Sequence, residues 1–176
     1  MRRRAVAALP LALAACGQPS TTGGTPAVAP DAPLTAPARF LALAPADLPG
    51  FSVRDELAPP PRASGADDPY GHLGSYSVTY ARGGVADEVT SSVNTYVGIE
   101  QARAAFGAWR AAVPRQYRAV TLSVGVDQAD AAAYARDSDG SVLFGYRIRN
   151  VLGSLRAPAA DVERLARLAL SRCAKG

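Results

Sequence analysis

The chain has almost none of the residue types from which catalytic centres are assembled. It holds one histidine, His72, and two cysteines, Cys16 and Cys173. A zinc site needs about four N, S or O ligands, and no Cys-x-x-Cys or His-x-x-x-His spacing supplies them. No Gly-x-Ser-x-Gly elbow is present, so a Ser–His–acid triad would have only His72 as its base and no identifiable nucleophile. A phosphate-cradling Gly loop ending in Lys and a dinucleotide fingerprint are both missing. Long apolar runs are also absent. The uncharged stretch Ala5–Ala15 is about half the ~20 residues that a bilayer-spanning helix needs.

That short stretch has a pattern of its own. Arg2, Arg3 and Arg4 precede it, and it ends in Leu13-Ala14-Ala15-Cys16. A basic start, a short apolar segment and small residues before a cut site mark an export signal. The ending resembles the lipobox of bacterial lipoproteins, in which an aliphatic residue and two small ones precede the acylated cysteine. The resemblance implies that residues 1–15 are removed and that Cys16 carries a thioether-linked diacylglycerol. It further implies that the protein is exported and held on the outer face of the cell membrane, or on the outer membrane. An ordinary export signal with an incidental cysteine is the alternative. With Cys16 acylated, no disulfide to Cys173 can form. Cys173 then stands alone on the apolar face of a predicted helix, which favours burial over pairing between molecules.

The formal charge of +4 does not make this a nucleic-acid-binding protein. Without Arg2–Arg4 the chain carries 16 basic against 15 acidic side chains. A domain so nearly neutral has no electrostatic footprint for a phosphate backbone. No cofactor is expected either.

Residues 16–38 are rich in Pro, Thr, Gly and Ala without hydrophobic period and read as a tether. The folded part is expected over 39–174, the size of one domain. Residues 40–50 suggest a short helix or turn. Alternation predicts strands over 51–57, over 75–82 with Tyr76, Val78 and Tyr80 on one face, and over 88–97 with Val89, Val93 and Val97 together. Gly83-Gly84 signals a hairpin between the last two. Ile99, Ala102, Phe106, Trp109 and Val113 recur at helical spacing up to Pro114, which ends the helix. Trp109 is expected in the core. Strands follow over 119–124, 131–136, 141–148 and 151–155, and a helix over 157–173 with Pro158 in its first turn. "TYAR" (79–82) and "AYAR" (133–136) each precede a turn, strand material and an Arg/Ala-rich helix, a possible duplicated unit. Together these elements predict a single α+β domain, an antiparallel sheet of about five to six strands packed with two main helices.

The most chemically varied loop is expected over 64–75, with Asp67, Asp68, Tyr70 and His72 between strands. Irregular loops often carry binding function, so these four residues form the candidate binding loop. "DSDGS" (137–141) opens like a calcium loop, but Ile148 stands where the closing Glu belongs, and an Asp-Gly hairpin fits better. Arg147, Arg149 and Arg156 could join Arg115 or Arg118 against phosphate, although charged strand edges explain them as well. The function expected is a membrane-anchored, non-enzymatic interaction or ligand-binding module. Its partners would be the bilayer, through Cys16, and an envelope protein. A small metal-dependent hydrolase built on the 64–75 loop and an envelope-assembly subunit are the alternatives.

Overall fold

A computed structural model describes residues 32–59, 69–124, 129–136 and 138–175, without the side chains of 84–86. Seven antiparallel strands form one sheet: β1 (Ser52–Leu57), β2 (His72–Arg82), β3 (Gly84–Tyr96), β4 (Tyr117–Val120), β5 (Asp130–Arg136), β6 (Ser141–Ile148) and β7 (Val151–Pro158). They lie in the order β1-β2-β3-β7-β6-β5-β4. Two meanders therefore meet at the β3–β7 seam. The helices are α1 (Ala38–Leu41), α2 (Ile99–Ala112) and α3 (Ala159–Lys175), with a 3-10 turn at Pro45–Asp47. The expected α+β single domain is what forms, with one or two strands more than expected.

Side-chain alternation gives the sheet two unlike faces. On one, Val78 and Tyr80 of β2, Val89 and Val93 of β3, Phe144 and Tyr146 of β6, and Val151 and Leu155 of β7 are all buried. The apolar stripe of α3, including Leu165, Ala166, Ala169 and Cys173, packs there with Leu34, Leu41, Leu43 and Leu48 of the N-terminal segment. Each fully buried Leu or Val contributes about 1.5–3 kcal/mol, so this face holds most of the hydrophobic stabilisation. On the other, α2 sets Ala102, Ala105 and Phe106 against Tyr96 and Leu152, with Trp109 and Ala132 half-buried beside them. Beyond α2 the same face is hydroxylic. Ser77 Oγ lies 2.7 Å from Ser92 Oγ, and Thr79 Oγ1 lies 3.1 Å from Thr90 Oγ1.

Two close approaches mirror each other on opposite faces of the β6–β7 pair. Gly153 lies under the Tyr146 ring on the α3 face, where an added Cβ would come within 2.0 Å of it. Gly145 lies under Trp109 on the α2 face, where the gap would be 2.2 Å. Trp109 thus packs as expected, stacked on Phe106 at 5.8 Å and edge-on to Tyr134 at 6.0 Å.

Four details differ from the sequence reading. Pro158 is the last residue of β7, paired with Ser141, rather than part of the final helix. A proline lacks a ladder donor and fits such a strand end. Strand β4 begins at Tyr117, before the predicted 119. The tether gives way to ordered chain sooner than residue 39, because Leu34 is buried. The possible duplication does not hold, since one strand separates the first turn from α2 and two separate the second from α3. The "DSDG" hairpin does form. Asp139 Oδ1 accepts from Ser141 N (3.0 Å) and Oγ (2.6 Å), and Gly140 takes φ +65°. These bonds, helped by Arg136 and Arg156, hold the Asp139 carboxyl down at about 2.

Candidate functional site

The N-terminal segment is fastened to the sheet by polar contacts that periodicity does not reveal. Asn150, buried in the β6–β7 turn, accepts from Leu34 N at 2.6 Å through Oδ1. Its Nδ2 donates to Leu34 O at 3.1 Å and to Tyr96 O at 2.8 Å. One amide side chain therefore stands in for an adjoining strand and ties residue 34 to the end of β3. Further along, Ser91 Oγ accepts from Leu43 N (3.2 Å), and Tyr80 donates to Leu43 O (2.9 Å). Asp47 Oδ2 accepts from Arg172 Nε at 2.8 Å on α3.

This fastening leaves a cleft of about 700 Å³ between the segment and the ends of β2 and β3. That volume lies within the ~300–1,000 Å³ range of small-molecule sites. Leu34, Ala36 and Ala38 line one side, with Leu73, Tyr76 and Val97 on the other. Four of the five exposed large apolar side chains among the described residues belong to this end: Phe40 (58%), Leu57 (61%), Leu73 (42%) and Val97 (46%). Leu73 and Val97 line the cleft, while Phe40 and Leu57 adjoin the lining residues Arg39 and Ala58. The alternation puts Val97 on one strand face with Val89 and Val93, both of which are buried. Val97 itself lies one residue past the end of β3 and is left at the cleft mouth.

The larger polar side chains of the cleft are mostly engaged, while Thr35 and Ser75 contribute small hydroxyls. Asn150 is engaged three times, as above, and Thr95 Oγ1 donates to Gly74 O at 3.3 Å. Burial first and then the Glu56 carboxylate push the Tyr76 phenol above its usual range, while the nearby Arg39 pulls it the other way. Arg39 itself makes no ion pair among the described residues, and its guanidinium lies 4.6 Å from the centre of the Phe40 ring.

Asp67 and Asp68 of the candidate loop lie outside the described residues. Tyr70 is half-buried against the α2 cluster. His72 is not in a loop. It opens β2, with Nε2 3.2 Å from Asn94 Oδ1 and its ring edge-on to Tyr96 at 5.6 Å. The structure thus turns the end of the expected loop into strand, and residues 73–76 become one wall of the cleft. Among the described residues no three His, Cys, Asp or Glu side chains gather to hold a metal. Two of the five arginines considered for phosphate are paired with carboxylates. Arg147 Nε donates to Asp130 at 2.7 Å, and Arg156 Nη2 to Asp139 at 2.9 Å. Cys173 is buried, its Sγ 3.8 Å from the Tyr146 hydroxyl and 4.0 Å from Leu41 O, and burial pushes the thiol up to about 11.

No protein-family model matches the chain, and no curated protein matches it. Among solved structures, the chain is similar to the extracellular domain of PknH from Mycobacterium tuberculosis. The TM-score is 0.55 at 12% sequence identity, over 83% of this chain and 100% of that one. The likeness is one of fold. It supports the overall fold alone, and at that identity it carries no site residue across.

Proposed function

We propose that this chain is an exported lipoprotein, anchored through Cys16, whose domain is a non-enzymatic binding module for a ligand with an apolar body. The observation that carries the reading is the end cleft, with its apolar walls and the clustering of exposed apolar side chains at its mouth. The extracellular setting of the PknH domain supports export of a domain with this fold. The lipobox-like run Leu13–Cys16 supports the anchor. An envelope-protein partner would use the same apolar rim and is a variant of this reading. The hydrolase alternative gains no support from His72, whose ring is engaged at the start of β2.

Two measurements test the proposal. Cys16→Ala should move the protein from the carbonate-washed membrane fraction to the soluble one, and retention on membranes would contradict the anchor. The apolar dye anilinonaphthalene sulfonate should bind the full chain carrying Cys16→Ala saturably at one site. Leu73→Glu together with Val97→Glu should weaken that binding about tenfold. Dye binding unchanged by both substitutions would place any apolar site elsewhere.

A further inference from the structure

We infer that the cleft takes an acyl chain of an anionic glycerophospholipid from the bilayer to which the domain is tethered, with Phe40, Leu57, Leu73 and Val97 against the membrane and Arg39 at the phosphate. The inference rests on the cleft and anchor readings just proposed and names their ligand.

Three observations carry it. The first is the chemistry of the lining. A sugar or peptide entering the cleft would surrender hydrogen bonds to water, and polar groups buried without replacement partners are costly. Among the polar side chains there, Asn150 is committed to Leu34 and Tyr96 and Thr95 to Gly74, Tyr76 lies beside the Glu56 carboxylate, and Thr35 and Ser75 add two small hydroxyls. What remains is mostly apolar surface with two small hydroxyls, which suits an acyl chain better than a sugar or a peptide.

The second is where the tether arrives. Pro33 and Leu34, the first residues past the tether, are themselves part of the cleft wall. The 16 residues between Cys16 and Pro33 span at most about 55 Å even when fully extended. The attachment point therefore lies at the cleft, and the leash keeps its mouth within reach of the bilayer that holds Cys16. The apolar side chains on the rim are those that a membrane interface accepts, and an exposed patch of this kind marks an interaction surface.

The third is charge. Arg147, Arg156 and Arg172 each have a carboxylate partner, whereas Arg39 on the cleft lining has none among the described residues. A guanidinium held at the mouth of an apolar cleft complements a phosphate, which it can bind through two parallel N–H bonds. Glu56 lies beside the Tyr76 hydroxyl and, among the described residues, makes no ion pair with Arg39.

The test uses the full chain carrying Cys16→Ala and vesicles of dioleoylphosphatidylcholine, with or without dioleoylphosphatidylglycerol, each doped with a pyrene-labelled lipid of the matching headgroup. Pyrene should transfer to the protein saturably, at about one lipid per chain, and preferentially from the phosphatidylglycerol vesicles. Leu73→Glu with Val97→Glu should lower uptake at least tenfold while circular dichroism stays unchanged, since both positions are exposed. Arg39→Gln should keep acyl uptake and abolish the preference for the anionic headgroup. If the dye fills the cleft but no pyrene lipid transfers, the lipid inference is overturned and the binding module stands. If neither binds, both fall. Uptake of free palmitate without transfer from vesicles would overturn the bilayer as the source, and undiminished uptake by the double variant would overturn the location.

Discussion

The two faces of the sheet are built from the same strands yet finished differently. The α3 face is sealed. Its rows of Val, Leu, Phe and Tyr are covered by one long helix and by the N-terminal segment, and its few polar groups are matched one to one. The α2 face is covered over part of its extent and elsewhere presents paired hydroxyls to solvent. The cleft opens where the cover of the sealed face runs out, at the ends of β2 and β3 under residues 33–39. Stability and candidate function are thus separated within one layer, with the most continuously buried strands, β6 and β7, at the centre and the open site at the margin.

The paired glycines offer the sharpest way to break this contrast. Gly153→Ala should destabilise by about 3 kcal/mol and Gly145→Ala by about 1 kcal/mol, the two ends of the usual overpacking range. Tyr146 is fully buried and cannot yield, whereas half-buried Trp109 can swing outward. Urea unfolding of the two variants measures the difference, and equal losses would mean the faces are equally rigid.

Asn150→Ala should cost about 2 kcal/mol by stranding Leu34 N, Leu34 O and Tyr96 O, at about 1–3 kcal/mol for each polar group left buried and unpaired. Relaxation of residue 34 toward water reduces that sum. Hydrogen exchange should show the loss concentrated at 33–36, with α3 still protected.

The pH dependence separates the sealed core from the β5–β6 hairpin. Cys173 and Tyr80 are raised by burial to about 11 and about 12, and Tyr146 is raised too. A group raised in the folded state favours folding below its unfolded pKa and loses that contribution as the pH climbs through the folded value. Stability should therefore fall from about pH 9 upward, and Cys173→Ala should flatten the first part of that fall. Asp139 has the opposite sign. Its depressed carboxyl favours folding above about pH 4, and that contribution fades as the pH drops toward 2. Asp139→Asn should remove the fade, a small effect because the site is partly exposed. Thermal melts across pH check both limbs.

The smallest effect belongs to the hydroxyl pairs. Ser77→Ala or Ser92→Ala alone should cost under about 1 kcal/mol, and the double variant about the same or less, because removing both partners leaves nothing unsatisfied. A double-mutant cycle reads the coupling.

Much of the fold was legible because periodicity records burial. The alternation of Tyr76, Val78 and Tyr80, and of Val89 and Val93, named the sealed face, and Ala102, Phe106 and Trp109 named the stripe of α2. The cleft was not legible, for reasons its residues make clear. Leu34 is one leucine in a Pro/Ala run and is held by a single side-chain amide from residue 150, a pairing that local pattern cannot carry. Val97 fits the strand's alternation yet lies beyond the last ladder pair, where alternation no longer implies burial. The loop that drew attention for its Asp, Tyr and His residues contributed instead its apolar continuation, Leu73, and the aromatic Tyr76. The chemically varied residues of that loop are polar, whereas the candidate site is marked by apolar side chains left exposed.

Under the proposed function, the domain binds at the margin of the sheet and not on its α2 face. Hydrogen-exchange mass spectrometry on the full chain carrying Cys16→Ala, with and without dioleoylphosphatidylglycerol vesicles, tests it directly. The prediction is new protection confined to residues 33–39, 72–76 and 95–97, with α2 and α3 unchanged. Protection centred on α2 and the hydroxyl pairs, or none at the cleft, would contradict it.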